Sequence, residues 1–328
     1  MPLFIGEDVV ETESLETFDL FLKNYEKCFE ESNNQLREAH ETRITPSNSC
    51  LYVSQREFAT SPSNNDVISA IGTDMMTTCH AVVLRCNKSK VTSLGHFDGC
   101  ATEQGVKDMI DSVINASKYL LQDSIDYMFD LHLIGGFEDE RNLSEKLTLN
   151  LLSEFHSSKV AEHLPMQFHL KTFCCTTLNQ KLISHNDMFI KSPVIFGICV
   201  TLATGDLFPC VFDEEAKGPV PALRSARSLH GPHNMTSIYR WKLKEIILEP
   251  FTYKPFAEVS LWLQQPDDII RQYMSTSPEV EPDNFCDHIR ATLQFIADNP
   301  DPVETVFKDN KPLKYQKKGE AWAQIRSS

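Results

Sequence analysis

Apolar residues recur at three- or four-residue intervals through Leu15, Phe18, Leu22, Tyr25 and Phe29, which predicts an amphipathic helix over 14–31 with Ser14 as its N-cap. The polar stretch 32–49 reads as a mobile connection, 50–55 as a strand and 60–66, rich in Ser, Pro and Asn, as a loop. A polar, small-residue run over 72–80 then meets a strand over 81–85, and after a second short strand His96 falls in a turn, Leu94-Gly95-His96-Phe97-Asp98-Gly99. Val106, Met109, Ile110, Val113 and Ile114 share one face of a helix predicted over 102–121. A strand over 130–134 is stopped by Gly135-Gly136, and a helix over 142–155 follows. The middle third is strand-rich, at 167–175, 194–202, 207–212, 236–241 and 245–248, with a hairpin turn at 203–206. Helices return at 258–264, 266–274 and 282–298. The pattern predicts an α+β fold of two layers of mixed β-sheet flanked by α-helices, one domain over 1–328 whose C-terminal portion is helical from about 256.

Composition narrows the function classes. The 328 residues, 41% apolar, suffice for a sizeable core, and a formal charge of −15 disfavours nucleic acid while suiting substrates with a positive group, such as a peptide amine. The ten cysteines follow no disulfide spacing, the start Met1-Pro2-Leu3-Phe4 is not a signal peptide, and no apolar run is long enough for a membrane span. A soluble, cytoplasmic, reducing setting is therefore expected, with a chain that starts at Pro2 once the initiator is removed. The Asn-X-Ser/Thr matches at Asn87, Asn115, Asn142 and Asn234 then carry no meaning.

The chemistry gathers at Cys79. A thiol where loop meets strand is placed as a nucleophile, and His96, seventeen positions downstream, returns on a hairpin as its base. Attack on a carbonyl carbon followed by proton transfer to an amine leaving group is acyl transfer on an amide. Backbone amides around Thr78 and Cys79, or the Thr73 and Thr77 hydroxyls, are the candidate oxyanion donors. Against this stands the plain alternative that Cys79 is one core cysteine among ten. His80 would face the other side of the strand. A zinc site from Cys79, His80, His96, Cys100, His230 and His233 matches no standard spacing. Papain-like and transglutaminase-like enzymes place their histidine much further downstream.

The chain resembles the protein N-terminal asparagine amidohydrolase family along nearly its whole length. Leu51-Tyr52-Val53, Gln55-Arg56-Glu57, Thr77-Thr78-Cys79-His80, His96 with Asp98-Gly99, and His132-Leu133-Ile134-Gly135-Gly136-Phe137 carry the resemblance. Leu152-Ser153-Glu154-Phe155, Ser275-Thr276-Ser277-Pro278 and His288-Ile289-Arg290 extend it. It implies hydrolysis of the side-chain carboxamide of an N-terminal asparagine to aspartate and ammonia in the N-degron pathway, with Cys79 as nucleophile and no cofactor. A fainter likeness to glutamine deamidases and deamidase toxins implies a sandwich in which Thr73 orients His96. Asp98 and Asp74 are then candidates to hold the substrate amine, with Thr78, Ser237 and Tyr239 as further pocket candidates. The expected partners are proteins or peptides with N-terminal asparagine, met by a monomer. A cysteine deamidase acting on another protein amide, or a non-catalytic adaptor that keeps the fold, remain as alternatives.

Overall fold

Along the strand His80–Cys86, Ala81 and Val83 enter one core while Val82 and Leu84 enter another. That period-two alternation makes the strand the shared wall of two hydrophobic layers. The computed structural model describes residues 2–121, 126–157, 166–185, 188–254 and 256–325. Within these, an eight-stranded mixed sheet runs in the order β15 (Thr236–Ser237), β5 (Glu57–Ser61), β8 (Thr92–Phe97), β7 (His80–Cys86), β9 (Tyr127–Gly135), β10 (Met166–Cys175), β1 (Leu3–Ile5) and β2 (Asp8–Val9). A five-stranded sheet orders β3 (Thr42–Ile44), β14 (Leu207–Phe212), β13 (Ile198–Thr201), β6 (Ala70–Thr73) and β4 (Cys50–Tyr52). Four further strands, β16 (Tyr239–Arg240), β17 (Glu245–Leu248), β18 (Leu313–Lys318) and β19 (Ala321–Ile325), form an antiparallel meander, and β11 (Gln180–His185) pairs with β12 (Met188–Pro193) as a hairpin.

Helices α1 (Phe18–Tyr25), α3 (Thr102–Leu121) and α4 (Leu143–Ser157) pack on the outer face of the large sheet, where Val106, Met109, Val113, Leu151 and Phe155 meet Val82, Leu84 and Phe129. Fully burying a side chain of the size of Phe129 or Phe168 contributes roughly 2–3 kcal/mol. The inner face, with Ala81, Val83, Leu94 and Ile134, packs on Ile71, Ile198 and Val200 of the five-stranded sheet. Helices α5 (Pro221–His230), α6 (Val259–Leu263), α7 (Asp267–Met274) and α8 (Phe285–Asp298) close the same core through Leu223, Ile270, Ile289 and Leu293. The α+β class and its two sheet layers match the sequence expectation.

Several elements differ from that expectation. The first helix is broken: Thr17 caps α1 by accepting from Leu20 N at 3.2 Å, while Ser14 is buried and its Oγ accepts from Asn24 Nδ2 at 2.8 Å. The stretch 32–49, read as a mobile connection, contains most of α2 (Glu30–Glu38) and all of β3. It is ordered because Leu36 is buried and Asn33 Nδ2 donates to Phe173 O at 2.9 Å. The loop assigned to 60–66 begins inside β5, and α5, α9 (Pro302–Thr305), β18 and β19 had no counterpart in the periodicity. His96 lies within β8 and not on a turn.

Candidate active site

The β7–β8 hairpin fixes the central pair. Ala81 stands opposite His96 and His80 opposite Phe97, so Cys79, one residue before β7, comes beside Asp98. Alternation then puts Cys79, Ala81 and His96 on the inner face, the thiol and imidazole being diagonal neighbours at the spacing of about 7–8 Å between Cα atoms that long side chains bridge. His80 points the other way, its Nε2 2.8 Å from Thr148 Oγ1 on α4. From the facing sheet, the last residue of β6 reaches across: Thr73 Oγ1 is 2.6 Å from His96 Nδ1. His96 Nε2 is buried and has no hydrogen-bond partner among the described residues.

The end of β9 holds the backbone of Cys79. Gly136 N donates to Cys79 O at 3.0 Å, and a Cβ on Gly135, whose φ is +133°, would overlap that same carbonyl oxygen. The Gly-Gly that stops the strand in sequence is thus the close approach that positions Cys79. On the other side Arg56 sits in the left-handed region at φ 60°, its N–H donating to His96 O at 3.0 Å. Such a conformation costs about 1–2 kcal/mol for a residue with a Cβ. It is held by the Asp98 carboxylate, which accepts from Arg56 Nε at 2.6 Å, Gln55 Nε2 at 2.8 Å and Cys100 N at 2.9 Å.

Electrostatics set the resting protonation. Burial lowers His96 to about 4 against the upward pull of Asp98 and Glu57, so the imidazole is neutral at neutral pH and free to accept a proton. Burial, with Asp98 and Glu281 adding negative charge, pushes the Cys79 thiol well above its ordinary value, and Arg56 only partly opposes this. The resting pair is therefore thiol and neutral imidazole, not the thiolate and imidazolium of many cysteine enzymes.

Cys79 and His96 open into one cavity of about 270 Å³, roofed by α5, α7 and α8 through Ser225, Met274, Phe285 and Ile289. Asp74 lines it too, but its carboxylate accepts from Tyr52 Oη at 3.1 Å and Phe212 N at 2.9 Å and pairs with the buried Lys217 at 3.5 Å. Burial raises its pKa despite that cation. Asp98 lies behind the cavity and is taken up by Arg56; burial alone would raise it, but the guanidinium, the Cys100 amide and Gln55 carry it below the usual carboxylate range. The Thr78 hydroxyl is 3.0 Å from that of Thr276, and Thr77 Oγ1 donates to Glu281 Oε1 at 3.5 Å, so the Thr77 proton is already directed to a carboxylate. Ser237 and Tyr239 are elsewhere. Ser237 is exposed on a separate shallow cavity beside α3, and the Tyr239 hydroxyl accepts from Asn65 Nδ2 at 3.0 Å.

Two cavity residues were not singled out by the chemistry of the sequence. Arg56 lines the cavity with an Nη1 that is buried and has no hydrogen-bond partner among the described residues. Glu281 also brings a carboxylate to the cavity lining, held by the Ser275 and Thr77 hydroxyls and in no ion pair among the described residues. Burial raises Glu281 to about 7, with Ser275, Arg271 and Thr77 pulling the other way. The signal for both was present: Arg56 lies in one quoted family segment, and Glu281 follows Ser275-Thr276-Ser277-Pro278 by three residues.

A family model described as protein N-terminal asparagine amidohydrolase matches residues 39–324, a span that holds Thr73, Cys79, His96 and Glu281. The chain belongs to that family. It is by that membership a hydrolase. Proteins named protein N-terminal asparagine amidohydrolase from Homo sapiens and Mus musculus are 38% and 39% identical to it over 278 residues, 84% of each chain. One of the same name from Arabidopsis thaliana is 26% identical over 308 residues, 89% of this chain and 85% of that one.

The charge state found for this family member has a direct readout. In the free protein at neutral pH, iodoacetamide is expected to label the exposed Cys28 before Cys79, followed by peptide mass spectrometry. Faster labelling of Cys79 would mean a preformed thiolate and overturn the resting pair described here.

Proposed function

We propose that this chain hydrolyses the side-chain carboxamide of an asparagine at a polypeptide N-terminus, releasing ammonia and leaving N-terminal aspartate. The observation that carries the reading is one cavity lined by a thiol, an imidazole with a free nitrogen and a carboxylate without a cation. The names of the relatives supply the substrate.

In this reading the Nδ1–H of His96 donates to Thr73 Oγ1, which leaves the Nε2 lone pair for Cys79. Sulfur attacks the carboxamide carbon as His96 takes the thiol proton, so no free thiolate accumulates. The imidazolium then passes that proton to the departing nitrogen, and ammonia leaves behind a thioester. Water, deprotonated by the same imidazole, attacks the thioester; the side-chain carboxyl forms and Cys79 recovers its proton. Arg56 is the cation beside the developing oxyanion, with Nη1 available to it. Glu281 takes the α-ammonium, a role that Asp74 and Asp98 fill poorly because each already has a cation of its own. Two anchors at a fixed separation, carboxamide on Cys79 and ammonium on Glu281, measure the length of the side chain between them.

The product supports a place in the N-degron pathway, where the family resemblance puts this reaction, and the ten free cysteines support a reducing, cytoplasmic setting. The test is ammonia release from peptides that differ only in their first residue. Asn-initiated peptides are expected to exceed Gln-initiated ones by about 100-fold, the size of effect one misplaced methylene produces. Equal rates would sink the substrate assignment, and release from an internal asparagine would move the chain to a deamidase of other protein amides.

A further inference from the structure

The β11–β12 hairpin presents an unused strand edge beside the Cys79 cavity. Val194 N donates to Asn179 O across the base of the hairpin at 2.8 Å, and Asn179 and Val194 flank the pair Gln180 and Pro193. In an antiparallel ladder the bonded residues alternate, so Ser192 and Ile190 direct their backbone groups to β11, while Lys191 and Phe189 direct theirs outward. Pro193, with no N–H to donate, falls on the outward set, as an edge requires. Among the described residues no third strand pairs with this hairpin.

That edge borders a groove of about 470 Å³. Phe189, Ile190 and Lys191 all line it, and because consecutive strand residues point to opposite faces, three in a row meet one groove only when the strand is seen edge-on. The groove shares Ser275 and Thr276 with the Cys79 cavity, so the two adjoin along that segment. Its floor also holds Ser277, which is 7% exposed and whose Oγ is buried without a hydrogen-bond partner among the described residues. A polar atom left so is costly unless a ligand satisfies it.

We propose that the substrate chain downstream of its N-terminal asparagine leaves the Cys79 cavity along this groove and adds to β12 as a third strand, pairing its backbone with the outward N–H and C=O groups of Phe189 and Lys191. The proposal rests on the reading of the Cys79 cavity given above. Recognition through the main chain gives affinity that depends on extended backbone more than on the identity of each side chain. Such a device suits an enzyme whose substrates share only their first residue.

The experiment compares Asn-initiated peptides of two and six residues with the full-length protein, together with six-residue peptides carrying one N-methyl group at position 3, 4, 5 or 6. The expected result is a kcat/KM about tenfold higher for six residues, the effect of two modest hydrogen bonds. N-methylation should remove that gain at alternate positions and spare it between them, because only every second amide faces the enzyme strand. Lys191→Pro, which deletes an outward N–H, should lose the length gain, whereas Lys191→Ala, which loses only the ion pair to Glu138, should keep it. Equal kcat/KM at both lengths, or N-methyl penalties without alternation, overturns the strand addition while leaving the activity standing. Absence of ammonia from Asn peptides of every length would instead bring down the activity itself. Should Lys191→Pro fail to fold, the peptide series on the unaltered protein decides.

Discussion

Cys79→Ala is expected to lower ammonia release from an Asn-initiated peptide by about 10⁴-fold or more, the loss seen when a covalent nucleophile is removed. The side chain is small and borders a cavity, so the variant should retain the far-UV spectrum and unfolding midpoint of the parent. His96→Ala should lose a similar factor, because the thiol is held neutral by burial and Glu281, the carboxylate in the same cavity, is taken up by the substrate's ammonium. Thr73 separates chemistry from scaffold. Thr73→Ala frees the imidazole to adopt the wrong tautomer and should cost kcat about 10–100-fold with little change in KM, and Thr73→Ser should restore it. Activity retained in Cys79→Ala would end the mechanism, whatever the substrate.

Glu281→Gln should do two opposite things. Without the carboxylate the substrate's ammonium loses its counter-charge, and KM at pH 7.5 should rise about a hundredfold, as for truncation of a buried charge pair. The same change should stabilise the fold. Burial raises the Glu281 carboxyl from 4.5 to about 7, so the folded protein holds its proton where the unfolded chain has released it. Stability is then full below pH 4.5, falls as pH rises from there to 7, and above 7 is lower by up to about 3 kcal/mol. Glutamine removes that loss, so the variant's Tm should exceed the parent's at pH 8 and converge with it near pH 4.5. The pH profile of kcat/KM in the parent should climb through about 7 as Glu281 ionises, and decline above about 8 as the peptide α-amine loses its proton. An unchanged KM in Glu281→Gln would remove it from substrate binding.

Strong local signals made much of this visible in the sequence. The helix over 102–121 and the strands over 207–212 and 245–248 appear with the bounds expected, because periodicity, turn residues and burial agree there. The Cys79–His96 pair was legible because a short hairpin brings its two arms into register whatever lies around it. His96 was misplaced on a turn since Gly95 looks like a breaker; within β8 it is small because Met109 and Phe97 crowd the space a Cβ would need. The cavity wall was harder. Glu281 comes 202 positions after Cys79, and no local pattern says that a loop between α7 and α8 folds over the thiol. Asp74 and Asp98 were plausible by proximity in sequence, and their cations, Lys217 and Arg56, emerge only from tertiary contacts.

The Cys79 thiol and the His96 imidazole ride on one sheet, and the Thr73 hydroxyl bonded to the imidazole rides on the other. The contact between Thr73 and His96, 2.6 Å long, is therefore also a tie between two layers that otherwise meet through apolar packing and through Arg85, which donates to Leu202 O and Ala203 O at their far end. A slippage of about 1 Å between the sheets carries it past hydrogen-bonding range while every strand ladder stays intact. Turnover should accordingly fade at a lower denaturant concentration than the backbone signal, making catalysis a gauge of how tightly the sandwich is closed.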